Sequence, residues 1–490
     1  MLHTITPGCW PVVIAVTVTD RSRSFKRLLD SLAAVKQDPN LHLMVLDNCT
    51  NVSESQTLWS QCLRWERTIA GTVHAWPSPT PGAPIHITRA ALTEYVFKNV
   101  SGETLPPIVW VIDDDLTFDK LTYQGDVLHL ENVACDHLQT IRTWRQGKEA
   151  PYTDVIIGDV TGDPPIRPEA VLATQLADLS FNLKKMMSAS PDAFWHPEDQ
   201  SALWNGDYFY DHAEPSQNPA PLVQRYAWRA RTSCPNAVGE NSPATNDGTV
   251  QSQFGAMVHA ATHINQGRTP FRPKVATDPP KLQGRTTTPR RGGNTIFFNL
   301  DALAAHTYPA MRAGARWSRR ADMIGATLLA NRTGLTFRKS TLTLHHNRTG
   351  QRNISASTTD WLDEFQGVLL ARLTMDTITT KPTLSVGHYA ERRAQRILEA
   401  LCAAHQHLQS SLQVLENPKA WWAFTQDRRD VMELLKSLKN LQIMLNELDQ
   451  SLLRKRMLDP SMHNNIAQHF RSMRTRDTWM HEHTSRGGAQ

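Results

Sequence analysis

The chain has 490 residues, 40% of them hydrophobic and 20% charged, a balance that excludes wholesale disorder, a coiled-coil rod or a repeat fibre and sets an expectation of two or three globular domains. The formal charge is only +5, from 52 basic and 47 acidic side chains, and the last forty residues, with seven Lys or Arg against three Asp or Glu, carry most of it. The body is close to neutral, so overall electrostatics give no case for nucleic-acid binding.

Residues 12–18 form a continuous, β-branched apolar run, the pattern of a strand buried on both faces. The run leads into Thr19-Asp20-Arg21-Ser22 and then a helical spacing of Phe25, Leu28, Leu29 and Leu32. A second strand is predicted over 41–46, ending at Asp47-Asn48, and a third over 108–112, ending at Asp113. Strand, helix, strand in that order implies right-handed crossovers and an α/β fold with a mainly parallel sheet. Ligands of such sheets bind at the carboxyl edge, where the polar residues here gather. The proline-rich stretch 75–83 reads as a loop, 124–145 as helical, 155–157 as a short strand, and 166–187 as a helix striped by Val171, Leu172, Leu176, Leu179, Leu183 and Met186.

Residues 188–289 are rich in Pro, Asn, Thr and Gly and too long for an ordinary connection, which predicts a loop-rich, substrate-facing insertion with partial order. Regular patterns resume at 294–300, followed by a helix from 301, another over 322–330 and a strand over 341–346. After 379 the spacing is helical to about 458 with a break at Asn417-Pro418, predicting an all-α carboxy-terminal domain over 379–460 and a loosely attached basic tail over 461–490. The expected divisions are therefore 1–187, 188–289, 290–378, 379–460 and 461–490.

The sharpest local signal is Trp110-Val111-Ile112-Asp113-Asp114-Asp115-Leu116. Three adjacent carboxylates closing an apolar strand repel one another unless cations or donors gather around them. Asp113 and Asp115 share a side of extended backbone, where they suit a hard divalent ion, Mg2+ or Mn2+, that also engages a diphosphate. Alone, the tripeptide also fits a solvated acidic turn. Asp47, ending the second strand, suits a hydrogen bond from a nucleobase or ribose with Asn48 as helper, although such a residue is commonly a turn or cap.

The segments 13–21, Leu46-Asp47-Asn48-Cys49-Thr50 and Val111-Ile112-Asp113-Asp114-Asp115 together resemble the nucleotide-sugar half of a GT-A fold glycosyltransferase, nearest to family 2. A second half of the likeness runs through Arg290-Arg291-Gly292-Gly293-Asn294, then Arg320-Ala321-Asp322 opening a helix, then His345-His346 ending a strand. The resemblance implies a nucleoside-diphosphate sugar held by Thr17, Thr19, Arg21, Asp47, Asp114, Gly292, Gly293 and Arg320, and Mn2+ or Mg2+ on Asp113, Asp115 and a histidine. Adjacent side chains on a strand diverge, so one histidine faces the ion; His345 is preferred and His346 is the alternate. Asp322 matches the family's acceptor base, while Ala321 stands where a preceding acid is often found. Transfer by inversion to a hydroxyl of an unspecified glycan, peptide or small molecule follows, with retention left open. The carboxy-terminal helices lie outside the resemblance and offer a surface for a protein partner. Two rival readings are nucleotidyl transfer on an α/β sheet and a non-enzymatic nucleotide-binding interaction module.

Other features carry less. His196, Asp207, Asp211, His212 and Glu214 match no metal spacing, Trp421-Trp422 suits packing, and Arg454-Lys455-Arg456 with Arg471, Arg474 and Arg476 suits a solvated surface. Six separated cysteines without a CxxC pair predict neither a disulfide framework nor a cysteine zinc site. Without a long apolar run or a basic-then-apolar leader, the expected setting is cytoplasmic, with no transmembrane segment.

Overall fold

A computed structural model describes residues 10–100, 106–124, 127–145, 153–163, 167–195, 248–271, 273–276, 279–287, 295–313, 316–332, 334–348, 353–378, 385–425 and 428–484, with the side chains of 123, 124, 127, 128, 313, 316, 377, 378 and 474–484 left aside. Its centre is a nine-stranded mixed sheet. In chain order the first strands are β1 (Val12–Val18), β2 (Leu41–Asp47), β3 (Thr72–Pro77), β4 (Ile108–Asp113), β5 (Leu116–Thr117), β6 (Asp119–Gln124), β7 (Val127–Asn132) and β8 (Val155–Gly162). They are followed by β9 (Leu282–Arg285), β10 (Thr295–Phe298), β11 (Arg312–Ala313), β12 (Arg316–Trp317) and β13 (Phe337–His346). The sheet order is β3-β2-β1-β4-β10-β8-β13-β5, with β9 also on β13.

β3, β2, β1 and β4 are parallel neighbours, as are β8 and β13. The expected parallel sheet is interrupted by β10, which runs antiparallel to both β4 and β8 and restores their common direction. The carboxyl ends of β1, β2, β3, β4, β8 and β13 therefore still share one edge.

Alternation explains the continuous apolar runs. Val12, Ile14, Val16 and Val18 of β1, with Ile108, Trp110 and Ile112 of β4, enter one core. Val13, Ala15, Val109 and Val111 enter another on the opposite face. The first face is covered by α1 (Ser22–Ser31), α2 (Val52–Glu66) and α4 (Ala134–Arg145), through Phe25, Leu28, Leu58 and Leu138. The second is covered by α3 (Ile85–Val100), α7 (Leu300–Ala305) and α8 (Ala321–Ala330), through Leu92, Val96, Leu303 and Leu329.

A third core is helical. It joins α5 (Pro168–Ser188), α6 (Val250–Ala261) and α9 (Thr358–Ile378) to α10 (Val386–Leu415), α11 (Arg428–Glu447), α12 (Gln450–Met457) and α13 (Pro460–Thr484). Packing thus crosses the sequence divisions at 187/188 and 378/379. Phe254 of α6 stacks on Trp422 with ring centroids 4.5 Å apart; Trp422 is core, and the partly buried Trp421 packs beside it. No described helix is long and apolar enough to cross a membrane.

Several expectations change. The helix expected over 124–145 begins only at Ala134, because 119–132 folds as the β6–β7 hairpin. Part of the loop expected at 75–83 is β3, and α2, α3 and α9 were not foreseen. The expected loose tail starts as α13: Asp459 caps it through the Ser461 N–H at 2.9 Å, Pro460 sits in its first turn, and Ile466 is fully buried beside the partly buried Met462, Phe470 and Met473. Burying a side chain such as Ile466 contributes about 1.5–3 kcal/mol, enough to hold that segment against the helices beneath.

Candidate functional site

Register brings the first residues of the site together. Thr17 of β1 lies opposite Asp113 of β4, and Val18 opposite Asp47 of β2. Beyond β4 the chain turns through Asp114 and Asp115 into β5, where Leu116 pairs with His346 at the end of β13. The Asn347 N–H donates to the Asp115 carbonyl at 3.1 Å, so the aspartate turn and the end of β13 are tied by backbone.

The loop after β1 closes over this turn. Arg21 Nη1 lies 3.4 Å from Asp114 Oδ1 and 3.2 Å from Asp115 Oδ2, and the Thr19 N–H reaches Asp114 Oδ2 at 3.5 Å. Asp20, at φ +49°, accepts from the N–H groups of Thr50 and Asn51 at 2.9 Å each, and Asn48 Nδ2 donates to Thr19 Oγ1 at 2.9 Å. A non-glycine residue at positive φ costs on the order of 1–3 kcal/mol and is held by such contacts. Burial raises Asp113; it also pushes Asp114 up to about 7, with Asp115 adding to the effect. Burial would raise Asp115 as well, but the charges of His346, Arg21 and Arg348 outweigh it and hold Asp115 well below the usual carboxylate range.

Arg89, on α3 and 4% exposed, completes the arrangement. Its Nη2 is ion-paired with Asp113 and its Nη1 lies 3.4 Å from Asp322 Oδ2. One guanidinium thus spans from the end of β4 to the first turn of α8, and those two carboxylates hold its pKa above the ordinary value despite burial. Behind it His306, pushed down to about 3 by burial, packs on Tyr308 at 4.5 Å, and its ring nitrogens have no hydrogen-bond partner among the described residues. Gly325 lets α8 lie against this segment, since a Cβ there would collide with the Thr307 carbonyl.

The structure therefore brings Thr17, Thr19, Arg21, Asp113, Asp114 and Asp115 to one edge and links Asp322 to them through Arg89. The Thr17 hydroxyl is buried without a hydrogen-bond partner among the described residues. Sequence reasoning missed Arg89, and the only available signal was a charged residue in the apolar spacing of Leu92 and Val96.

Two expected placements are corrected, and Asp47 is found held by neighbouring donors. His346, not His345, faces the aspartates: its Nε2 is 3.2 Å from Asp115 Oδ2. Its Nδ1 donates to the Asp163 carbonyl, which fixes the ring with Nε2 toward the aspartate turn. Strand alternation turns His345 to the other side, against Gly162, where burial pushes it down to about 4. Arg320 turns to Glu364 of α9, with Nε 2.8 Å from Oε1, rather than to the strand edge; its φ of +77° at the start of α8 accompanies that contact. Asp47 reaches the shared edge, but its Oδ2 accepts from Ser55 Oγ at 2.5 Å and Trp59 Nε1 at 2.9 Å, and its Oδ1 from the Cys49 N–H at 2.9 Å. Those donors fasten β2 to α2. Gly292, Gly293, Arg290 and Arg291, and the cluster from His196 to Glu214, lie outside the described residues.

The donor set fits a hard cation. Asp113 and Asp115 present oxygen ligands at the end of one strand, the type that Mg2+ and Mn2+ prefer. Among the described residues no three His, Cys, Asp or Glu side chains form a ready cage.

No family model matches the sequence, and no curated protein matches it. Among solved structures the chain is similar to the mannosyltransferase PcManGT from Pyrobaculum calidifontis in complex with GDP-Man and Mn2+, at 12% identity and a TM-score of 0.35, over 92% of this chain and 88% of that one.

Proposed function

We propose that the chain is a glycosyltransferase of the GT-A type, which moves a sugar from a nucleoside diphosphate to a hydroxyl acceptor with Mn2+ or Mg2+. The observation that carries this reading is the meeting, at one strand edge, of the Asp113-Asp114-Asp115 turn, the Thr19–Arg21 loop and, through Arg89, Asp322. Thr17, Thr19 and Arg21 line the side on which a diphosphate would approach. Asp113 and Asp115, with His346 Nε2 beside them, would hold the divalent ion. When bound, the ion neutralises charge on the departing diphosphate. Asp322, oriented by Arg89, takes the proton of the attacking hydroxyl, and a base opposite the leaving group gives inversion.

Thermal-shift screening of UDP- and GDP-sugars with and without Mn2+, followed by hydrolysis and transfer assays on the best donor, tests this reading. Asp115→Asn should abolish the cation-dependent shift. Asp322→Asn should retain it and lose about 10²–10⁴-fold in transfer. Normal turnover in both variants would remove these roles. Transfer of nucleotide instead of sugar would establish nucleotidyl transfer, and binding without turnover an interaction module.

A further inference from the structure

α3 meets the segment leading into α8 at two points. Arg89 holds Asp322, and His86, three residues earlier on α3, lies with its ring centroid 4.6 Å from that of Trp317, at an interplanar angle of 57°. Trp317 ends β12, where it pairs with Arg312 of β11, and stands five residues before Asp322. The two stretches therefore run side by side, with His86 about 4.5 Å along the helix axis from Arg89.

The direction of α3 tells on which side the rings stand. β3 is parallel to β2 and ends at Pro77 on the carboxyl edge, and α3 starts at Ile85, so the helix enters from that edge and runs back along the sheet. His86 is thus nearer the open edge than Arg89. Ile85, four residues before Arg89 on the same helix face, is 49% exposed. Ile85, His86 and the partly buried Trp317 therefore border the carboxylate of Asp322, which keeps 28% of its side chain exposed.

This border joins two kinds of surface. The indole and the isoleucine are apolar, whereas the buried His86 has an Nε2 without a hydrogen-bond partner among the described residues. Burial lowers its pKa from the ordinary 6.5, so the ring is neutral near pH 7. A buried nitrogen left unpaired costs about 1–3 kcal/mol, which a ligand hydroxyl beside it would remove. An aromatic wall next to an uncharged hydrogen-bonding ring and a carboxylate suits a molecule with one C–H face and hydroxyls around its rim. A pyranose sugar is such a molecule: its C–H groups meet the negative face of an indole while its hydroxyls reach outward.

We propose that Trp317, with His86 against it, is the platform for the acceptor and that the acceptor is a pyranoside, an inference that rests on the transferase reading above and names its substrate class. In the transfer, the donor's anomeric carbon–oxygen bond breaks with its electron pair leaving on the diphosphate. The pyranoside hydroxyl forms the new bond to that carbon, and its proton passes to Asp322.

The test uses the full chain and the methyl glycosides of glucose, mannose, galactose and N-acetylglucosamine, with binding read by saturation-transfer NMR. At least one glycoside should bind wild type, with the C–H protons of one ring face saturated most strongly. Trp317→Leu should weaken that binding tenfold or more, and Trp317→Phe, which keeps a ring, should recover part of it. Circular dichroism checks the folding; if Trp317→Leu does not fold, Ile85→Glu, at an exposed position of the same border, decides by the same tenfold criterion. No binding by wild type, or binding that the deciding substitution leaves unchanged, overturns the proposal. Donor hydrolysis without glycoside binding would sink the platform and leave the transferase reading intact. Glycoside binding that depends on Trp317, in a chain that neither binds nor hydrolyses a nucleotide sugar, would overturn the acceptor role together with that reading.

Discussion

Two charged clusters flank the start of α8, and they are balanced differently. Behind it, between α5, α9 and α10, Glu169 and Glu364 each meet two arginines. In front, among the described residues, Asp113, Asp114, Asp115 and Asp322 are met by Arg21 and Arg89, Asp115 also by His346 Nε2, and the charge of Arg348 acts on Asp115 as well. Buried charge that is matched within the protein holds helices in register, whereas buried charge left in excess is suited to an incoming cation. The rear cluster is matched within the protein, and on the reading proposed above the front one receives the donor and its ion.

The largest expected effect breaks the rear cluster. Arg393→Met removes the cation bonded to the buried Glu169 and should cost about 3–5 kcal/mol in urea unfolding, with no recovery on adding Mn2+. Recovery by Mn2+ would erase the distinction between the clusters. Acid should weaken the same cluster in a defined window. Burial opposes ionisation of Glu364, but Arg320 and Arg319 outweigh it and lower its pKa from the ordinary 4.5 to about 2. Its contribution is present above about 4.5 and is lost as pH falls toward 2, so the stability gap between wild type and Glu364→Gln, on the order of 3 kcal/mol at neutral pH, should close over that range. A gap independent of pH would contradict the pairing.

At the front, Arg89→Met should cost less, about 1.5–3 kcal/mol, because Asp113 and Asp322 each keep 28% of their side chains exposed. Here Mn2+ should restore part of the melting temperature. Failure of Mn2+ to do so would mean that Arg89, not a metal, is the permanent counter-charge. The smallest effect calibrates the series: Lys26→Ala, which removes the exposed pair with Asp30, should change stability by about 0.5 kcal/mol or less in the same urea assay.

How much of this was legible follows from what short-range patterns can carry. Val12–Val18 and Ile108–Asp113 are buried on both faces and declare themselves by unbroken apolar runs, which also placed Asp113 and Asp115 at the strand edge. Arg89 is invisible by the same logic. The buried face of α3 begins with His86, Thr88 and Arg89 before turning apolar at Leu92, so a binary pattern sees no stripe. The choice between His345 and His346 depended on the pairing of β13 with both β5 and β8, a long-range fact that alternation within one strand does not contain. The third core was hidden for a related reason: α5 is separated by some two hundred residues of sequence from its partner α10.

The reversed strand β10 has a consequence for how the chain is made. It supplies only Thr295–Phe298, yet it fills the gap between β4 and β8, which are synthesised more than 130 residues earlier. Until it emerges from the ribosome, both of those strands present bare hydrogen-bonding edges, one of them flanked by Trp110 and Val111. Such edges invite pairing with other chains, and their late, distant closure slows folding. Deleting the four residues of β10 should therefore promote aggregation, while loss of four residues at the far end of α13 should be tolerated.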